Sequence, residues 1–250
     1  MSGVPPPAIP IGSRALGGDL PAFVIAEAGV NHNGDPDLAH RLIEAAAAAG
    51  ADAVKFQTFN AAAVVAAGTR TADYQADAGA GEDQRDMLRA LELPLSAWAD
   101  LAVHARESGL CFLSTAFDAQ SLELVVSLGV DALKVPSGEI DNVPYLDAHA
   151  DAGLPVLVST GMANLAEVER AAELLGSAPG LAFFHCVTSY PAPIDEANLR
   201  AMVTIRDTLG VPVGWSDHTP GCLTAIAARA LGAAMFEKHL TLDRTMEGPD

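Results

Sequence analysis

The sequence predicts an α/β fold, a (β/α)8 TIM barrel, and three observations support that prediction. The chain has 250 residues and is 50% hydrophobic, which suits one large core. It contains about eight short apolar runs, typical of strands that are buried on both faces of a parallel sheet. Helix-like segments that end in Gly alternate with these runs. An open doubly wound sheet is the alternative, because alternation alone does not prove that the sheet closes.

Residues 1–22 are predicted to form an N-terminal hairpin or arm. They are rich in Pro and Gly, and the short runs Ile9–Ile11 and Arg14–Leu16 flank the turn at Gly12 and Ser13. Two short runs around such a turn are typical of a β-hairpin. We expect the hairpin to plug one end of the barrel, with a loose arm as the alternative.

Residues 23–250 are predicted to form the barrel domain. Its expected strands are 23–29, 53–59, 111–117, 132–138, 155–161, 181–187, 211–216 and 235–242. The segments between them have helical periodicity, as where Trp98, Leu101, Ala102 and Ala105 recur at intervals of three and four.

Two features depart from a regular barrel. Residues 60–95 form a long insertion after the second barrel strand, polar and Gly-rich near 78–83, and long loops are often functional. The chain stops at Asp250, eight residues after the last expected strand. We therefore expect the eighth helix to be missing and the barrel to be truncated at its C-terminus.

Charge and cysteine content restrict the class of protein. The net charge of −18 argues against nucleic acid as a partner, although an acidic shell can enclose a local basic pocket. The three separated cysteines, Cys111, Cys186 and Cys222, argue against a disulfide framework and for a reducing compartment. No signal peptide and no apolar run of about 18 residues is found. We expect a cytoplasmic protein that does not enter a membrane.

Polar residues end each predicted barrel strand, and the active site of such barrels lies at those ends. Eight polar strand ends in succession are hard to explain as packing, because unpaired buried charge is costly. The candidate residues are Glu27, Lys55, Gln57, Thr115, Lys134, Ser137, Glu139, Ser159, Thr188, Tyr190, Ser216, His218, Glu237 and His239.

Lys55 and Lys134 are the candidate anion-binding residues. Two ammonium groups with Ser and Thr hydroxyls nearby suit a phosphate or a phosphate with a carboxylate. The alternative is that both are surface lysines, but apolar runs flank each of them. A lysine that forms a Schiff base with its substrate is a second functional interpretation.

His218 and His239 are the candidate metal ligands, since they end two consecutive predicted strands. Two imidazoles with carboxylates nearby (Glu237, Asp250 and Glu27) suit a divalent ion such as Mn, Zn or Fe. Either histidine alone would be interpreted as a hydrogen-bonded core residue. His185 is either a core or a site residue. The remaining histidines, His32, His40, His104 and His149, are expected in loops or on helix faces without a special role.

Seven motifs, in order, resemble the sialic acid (N-acetylneuraminate) synthase family. They are AEAGVNHNG at 26–34, VKFQT at 54–58, KVPSGE at 134–139, STGM at 159–162, HCVTSYP at 185–191, WSDHT at 215–219 and EKH at 237–239. The match extends over the chain from about residue 9.

The resemblance implies a TIM barrel that condenses phosphoenolpyruvate with an N-acylated aldose and water to give a nonulosonic acid and phosphate. It implies that His218 and His239 bind Mn or Mg, and that Glu27 and Glu237 handle water and protons. Gln57, Glu139, Tyr190 and Asp250 would face the sugar. The residues that would hold phosphoenolpyruvate are Lys55, Thr115, Lys134, Ser137, Ser159 and Ser216.

The chain departs from the family pattern at its end. Members usually carry a C-terminal antifreeze-like domain that sends an arginine into the partner subunit's site, and this sequence has neither that domain nor the final helix. We therefore expect a fragment of a protein that is a homodimer in its full-length form. The alternatives are another phosphoenolpyruvate-dependent synthase of 3-deoxy sugar acids, or a fragment that binds phosphoenolpyruvate without turnover.

Overall fold

The computed structural model describes residues 6–71, 83–246 and 248, and contains a two-stranded antiparallel hairpin and a closed barrel of eight strands. The hairpin strands are β1 Ile9–Ile11 and β2 Arg14–Leu16. The barrel strands are β3 Phe23–Gly29, β4 Ala53–Thr58, β5 Cys111–Ala116, β6 Leu133–Val135, β7 Val156–Ser159, β8 Leu181–Cys186, β9 Val213–Asp217 and β10 Met235–His239. Consecutive strands are neighbours and β10 lies beside β3, so the predicted (β/α)8 barrel is confirmed and the open sheet is wrong.

Helices separate the barrel strands. Those described are α1 Pro36–Ala48, α2 Ala61–Val64, α3 Gln84–Leu91, α4 Ala97–Glu107, α5 Ala119–Ser127, α6 Val143–Asp151, α7 Leu165–Leu174, α8 Arg200–Leu209 and α9 Leu223–Ala230. Local sequence explains their ends. Asn164 and Glu167 form a reciprocal capping box at the start of α7, and Gly210 ends α8 in the left-handed conformation that a side chain disfavours.

The barrel core consists of the apolar strand residues and the helix faces that cover them. All six residues of β5 are buried, and Phe183, Phe184 and Trp215 are among the largest fully buried side chains. Burial on both faces is what a parallel sheet covered by helices requires. It explains why most residues of the strands are apolar.

The chain divides into two compact units. One contains Met1–Ile25 and Asp131–Lys238, and the other contains Ala26–Val130 and His239–Asp250.

The hairpin packs against residues that precede barrel strands. Ile11 and Leu16 are fully buried, and glycines permit close approach: a Cβ on Gly12 would meet Asp131, and one on Gly180 would meet Ile9. Asp131 lies two residues before β6, and Gly180 directly precedes β8. Within this unit the hairpin therefore lies against the ends of these strands opposite their carboxyl ends, and its role as a plug of the barrel stays a prediction.

Of the eight predicted barrel strands, 23–29 has the predicted bounds, and the boundaries of the others shift by one to three residues. The strand predicted at 132–138 ends at Val135, because Pro136 has no N–H to donate and residues Ser137–Glu139 turn into a 3-10 helix. The strand predicted at 235–242 ends at His239, and Leu240 instead donates its N–H to the carbonyl of Glu27. The strand predicted at 211–216 runs from Val213 to Asp217.

The insertion at 60–95 carries α2 and α3 in its described part, and most of its Gly-rich segment near 78–83 lies outside the described residues, as does Asp250. Met87 and Leu91 of α3 pack with Val30 and Phe59 in a small buried cluster. Across the described residues, no helix combines the length and the hydropathy needed to cross a membrane.

Replacing Leu16 tests whether the hairpin is part of the core. Leu16→Ala removes a fully buried side chain and should lower the free energy of unfolding by about 2–5 kcal/mol. Leu20→Ala, at a position that is 39% exposed, is the matched control and should have a clearly smaller effect. Urea denaturation measures both variants. Equal small losses of unfolding free energy would favour a loose arm over a packed hairpin.

His32 predicts how stability depends on pH. Its ring is buried, and its Nδ1 accepts a hydrogen bond from Gly34 N–H at 3.0 Å. Burial lowers the pKa of His32 from 6.5 to about 4, against a smaller opposing effect of the Asp35 charge. The unfolded state therefore binds a proton in this range that the folded state does not. Stability should fall by about 1.4 kcal/mol per pH unit below the unfolded pKa, and by about 3 kcal/mol in total near pH 4.

The measurement compares the wild type with His32→Gln in urea unfolding at pH 7, 6 and 5. The wild type should lose stability more steeply than the variant, because only the wild type carries this imidazole. Equal slopes would mean that His32 is protonated in the folded state as readily as in the unfolded one.

Candidate active site

Lys55 lies at the centre of a buried polar cluster formed by β3, β4 and β5. Its Nζ contacts Glu27 Oε2 at 2.6 Å and donates to Thr115 Oγ1 at 3.0 Å. Gln57 Nε2 donates to the other Glu27 oxygen at 3.3 Å. Lys55, Glu27 and Thr115 are each no more than 3% exposed. The carboxylate therefore balances the charge of the ammonium, and the hydroxyl accepts one of its hydrogen bonds, away from bulk water.

Lys134 is the centre of a second cluster, formed by β6, β7, β9 and β10. Its Nζ donates to Ser159 Oγ at 2.6 Å and lies 3.6 Å from Glu237 Oε1. Ser216 Oγ donates to the same Glu237 oxygen at 2.9 Å, and the Phe184 ring centre is 5.6 Å from the ammonium. Two clusters, each with a lysine ammonium, a glutamate carboxylate and at least one hydroxyl, thus lie at the carboxyl ends of barrel strands, one in each compact unit.

His218 follows β9 and is held in one tautomer. Its Nδ1 lies 2.7 Å from the carbonyl oxygen of Val187, and a carbonyl only accepts, so Nδ1 carries the proton. Nε2, 3.4 Å from Ser216 Oγ, is then the acceptor nitrogen that a metal requires. The ring stacks on Tyr190 with centroids 4.2 Å apart.

The other predicted substrate residues lie on loops after the strands. Ser137 and Glu139 are half-buried in a 3-10 turn, where Glu139 accepts from Asn142 Nδ2 at 2.6 Å. Thr188 is exposed, and its hydroxyl lies close to Gly161, where a Cβ would meet it. Tyr190 is 40% exposed. Exposed and loop-borne side chains suit contact with a substrate rather than packing.

His239 ends β10 and is half-buried, and Asp250 lies outside the described residues. Within the described part of the chain, no group of three or more His, Cys, Asp or Glu side chains is arranged to hold a metal. Metal binding by His218 and His239 therefore stays a prediction.

Two of the histidines predicted in loops or on helix faces do lie there, and both are also buried: His32 is in the turn after β3, and His149 is in α6. His32 and His149 are 1% and 0% exposed. Burial lowers the pKa of His149, whose Nδ1 bonds to the carbonyl of Tyr145. His185 Nε2 donates to Ala197 O and its ring packs on Trp215, which makes it a packing residue in this structure.

Cys186 lies near the second cluster but is a poor nucleophile. Burial, the largest effect, raises the pKa of its thiol, and the opposing charge of Lys134 does not overcome it. The neutral thiol is the unreactive form.

Asp217 and Lys238 were not predicted to have a role, although they lie in the motifs at 215–219 and 237–239. Lys238 Nζ contacts the Asp217 carboxylate at 3.1 Å, and Thr219 donates to that carboxylate through its N–H and its hydroxyl. Burial raises the pKa of Asp217, but the hydrogen bonds from Thr219 and Lys238 together outweigh it and hold the pKa below its usual range. The sequence signal that could have identified this pair is an acid and a base at the ends of two consecutive strands. In the structure these two residues are register partners.

Asn31 was also missed as a structural residue. Its Nδ2 donates to Leu240 O at 2.9 Å, which ties the loop after β3 to the residue that follows His239. Its position in the turn after β3 did not reveal this contact, because the two residues are 209 positions apart.

Comparison with known proteins places this site in a family. The N,N'-diacetyllegionaminic acid synthase of Campylobacter jejuni is 47% identical over 91% of this chain and 70% of its own length. The enzyme of the same name from Legionella pneumophila is 46% identical over 96% of this chain and 69% of its own length.

A solved structure shows the same relationship. The N-acetylneuraminic acid (sialic acid) synthetase of Leptospira borgpetersenii, in complex with citrate, superposes with a TM-score of 0.86 at 35% identity. The match covers 98% of this chain and 82% of that one. Residues 42–250 match the NeuB family. The chain belongs to the NeuB family.

Proposed function

We propose that the protein condenses phosphoenolpyruvate with an N-acylated aldose and water to give a nonulosonic acid and inorganic phosphate. The observation that carries this proposal is the pair of buried lysine clusters at the carboxyl ends of the barrel strands of a NeuB-family chain. Buried ammonium groups with hydroxyl partners are suited to an anion that carries both a phosphate and a carboxylate.

The reaction forms one carbon–carbon bond and breaks the bond between C2 and the phosphate oxygen. C3 of phosphoenolpyruvate forms a bond with the aldehyde carbon of the open-chain sugar, and the aldehyde oxygen takes a proton. Water adds to the cation-like C2 and gives up a proton, and the C2–O bond to phosphate then breaks. The products are a 2-keto acid that is three carbons longer than the sugar, and phosphate.

The two lysines would bind and orient phosphoenolpyruvate. Lys55 with Thr115 and Lys134 with Ser159 supply charge and directional donors in a setting that excludes bulk water. Preorganised donors stabilise the charge that develops at the departing phosphate without reorganising during the reaction. Ser216, held by Glu237, and Ser137 would complete the set.

The two glutamates would handle protons. Glu27 contacts Lys55 and Glu237 lies near Lys134, so each carboxylate is directly beside an anion-binding group. That placement suits a group that accepts a proton from the attacking water or gives one to the former aldehyde oxygen. Gln57, Glu139, Thr188, Tyr190 and Asp250 are proposed to contact the sugar.

His218 and His239 would hold a divalent ion, Mn or Mg. The chemistry of the donors fits, because the Val187 carbonyl fixes the His218 tautomer that offers Nε2. When bound, such an ion supplies Lewis-acid polarisation of the aldehyde oxygen. A homodimeric full-length protein and a cytoplasmic location also remain predictions.

The acceptor sugar is the least determined part of the reaction. The names of the Campylobacter and Legionella relatives make the diacetamido-trideoxy precursor of legionaminic acid the first acceptor to test. N-acetylmannosamine, its 6-phosphate and the precursor of pseudaminic acid complete the panel. The test incubates the protein with phosphoenolpyruvate, Mn²⁺ and each sugar, and measures phosphate release and product mass. Binding of phosphoenolpyruvate without turnover of any acceptor would favour the non-catalytic alternative.

Replacement of either buried lysine should abolish most of the activity. Lys55→Ala and Lys134→Ala each remove the charge that holds the phosphoenolpyruvate anion, so turnover should fall by at least about 100-fold. Arg206→Lys, a conservative change of a cation on the outer helix α8, is the control and should leave turnover unchanged. Near-normal phosphate release by either alanine variant would refute the role of that lysine.

Chelation and borohydride treatment separate a metal-dependent condensation from a Schiff-base aldolase. Chelator should abolish turnover and Mn²⁺ should restore it, whereas borohydride with pyruvate, the carbonyl compound that a Schiff-base aldolase would use, should leave the protein mass unchanged. The physical reason is that Lys55 and Lys134 are each committed to a carboxylate and a hydroxyl, which disfavours the neutral amine that a Schiff base needs. A mass increase after borohydride, with activity insensitive to chelator, would reverse the assignment.

A further inference from the structure

Lysine is rare in this chain, and all three lysines lie in barrel strands. The sequence has 11 arginines but only Lys55, Lys134 and Lys238. Lys55 and Lys134 are the lysines of the two buried clusters that are proposed to bind phosphoenolpyruvate. Lys238, in β10, has no part in the chemistry proposed above, although it directly precedes His239.

The Lys238 ammonium contacts three oxygens of β9 and the turn that follows it. Nζ lies 3.1 Å from Asp217 Oδ2, 2.8 Å from the carbonyl of Thr219 and 3.4 Å from the carbonyl of Asp217. Lys238 and Asp217 are also register partners in the parallel pair of β10 and β9. Three converging acceptors match the three N–H groups of an ammonium.

The Asp217 carboxylate organises the same turn from the other side. Oδ1 accepts from Thr219 N–H at 2.9 Å, from Thr219 Oγ1 at 2.7 Å and from Thr224 Oγ1 at 3.1 Å. Asp217, Thr219 and Thr224 are each no more than 3% exposed. The turn is therefore tied to both β10 and α9.

His218 is the residue between these anchors. Lys238 binds the carbonyls on either side of it, and Asp217 binds the amide that follows it. The carbonyl of His218 accepts from Ala192 N–H at 2.9 Å, and its Nδ1 donates to Val187 O. A fixed backbone at residues 217–219 limits the positions from which the ring can reach the Val187 carbonyl.

We propose that Lys238, through Asp217, is a positioning residue that holds His218 in the tautomer and orientation that present Nε2 to a metal. The metal part of this inference rests on the proposed function, and the positioning of the ring does not. A planar guanidinium is larger and spreads its donors in a fork, so arginine does not reproduce three contacts to a single nitrogen. This accounts for a lysine here in a chain whose other cations outside the two clusters are all arginine.

The first experiment reads the His218 ring in metal-free protein. Two-bond ¹H–¹⁵N NMR spectra report which ring nitrogen carries the proton. The wild type should show the Nδ1–H tautomer, and Lys238→Arg and Lys238→Met should show a mixture or the Nε2–H form. Thr224→Val, which removes one bond to Asp217, should shift the ring in the same direction by less. Arg206→Lys, a cation that donates to the Leu231 carbonyl, is the control and should match the wild type.

The second experiment measures Mn²⁺ binding without substrate, from the electron paramagnetic resonance signal of free Mn²⁺. Lys238→Arg should weaken binding by about 10- to 100-fold although it keeps the charge, and Arg206→Lys should not. Melting temperatures recorded for each protein show whether it is folded. If Lys238→Met does not fold, Lys238→Arg and Thr224→Val still decide the question.

The outcomes separate the two proposals. An unchanged His218 tautomer and unchanged Mn²⁺ affinity in folded Lys238→Arg overturn the positioning role. If Lys238→Arg loses the Nδ1–H tautomer and the wild type binds no Mn²⁺, the positioning of the ring is supported and the proposed metal is refuted. Loss of both supports the whole inference.

Discussion

The site depends on the pairing of buried charge. Lys55 and Lys134 are 3% and 4% exposed, so each ammonium needs a carboxylate and a hydroxyl close by. Glu27 with Thr115, and Glu237 with Ser159, meet this need from neighbouring strands. Removing one partner of a buried pair typically costs about 3–5 kcal/mol, so these polar residues are constrained together. The arrangement that keeps the lysines charged is also one that an anion can use.

Because side chains alternate along a strand, β9 and β10 present different polar pairs on their two faces. Ser216 and Glu237 pair on the face that Lys134 shares, whereas Asp217 and Lys238 pair on the opposite face. One face carries groups proposed for the reaction, and the other fixes the turn that holds His218. A shift of register by one residue would exchange these faces, so register and function are linked.

Much of this arrangement was predictable from the sequence, and the reasons differ between residues. The apolar runs around Lys55 and Lys134 indicated that both lysines are buried in strands, as the structure shows. The burial of His32 could not be predicted, because a turn composition such as Asn-His-Asn-Gly indicates a loop and not the depth of that loop. Ser137 was assigned to a strand that in fact ends at Val135, because Pro136 cannot donate an N–H and the chain turns there.

The sequence by itself determined the alternation of strands and helices and the residue types at the strand ends, because helix and strand periodicity and glycine positions are local properties. The closure of the sheet into a barrel was decided by the tertiary structure. Only the tertiary structure decided which groups pair. Asn31 reaches Leu240 and Lys238 reaches the turn around His218 through contacts between residues that are distant along the chain. Such contacts depend on strand register and on the facing of each side chain. A linear pattern restricts both of these, and the folded barrel specifies them.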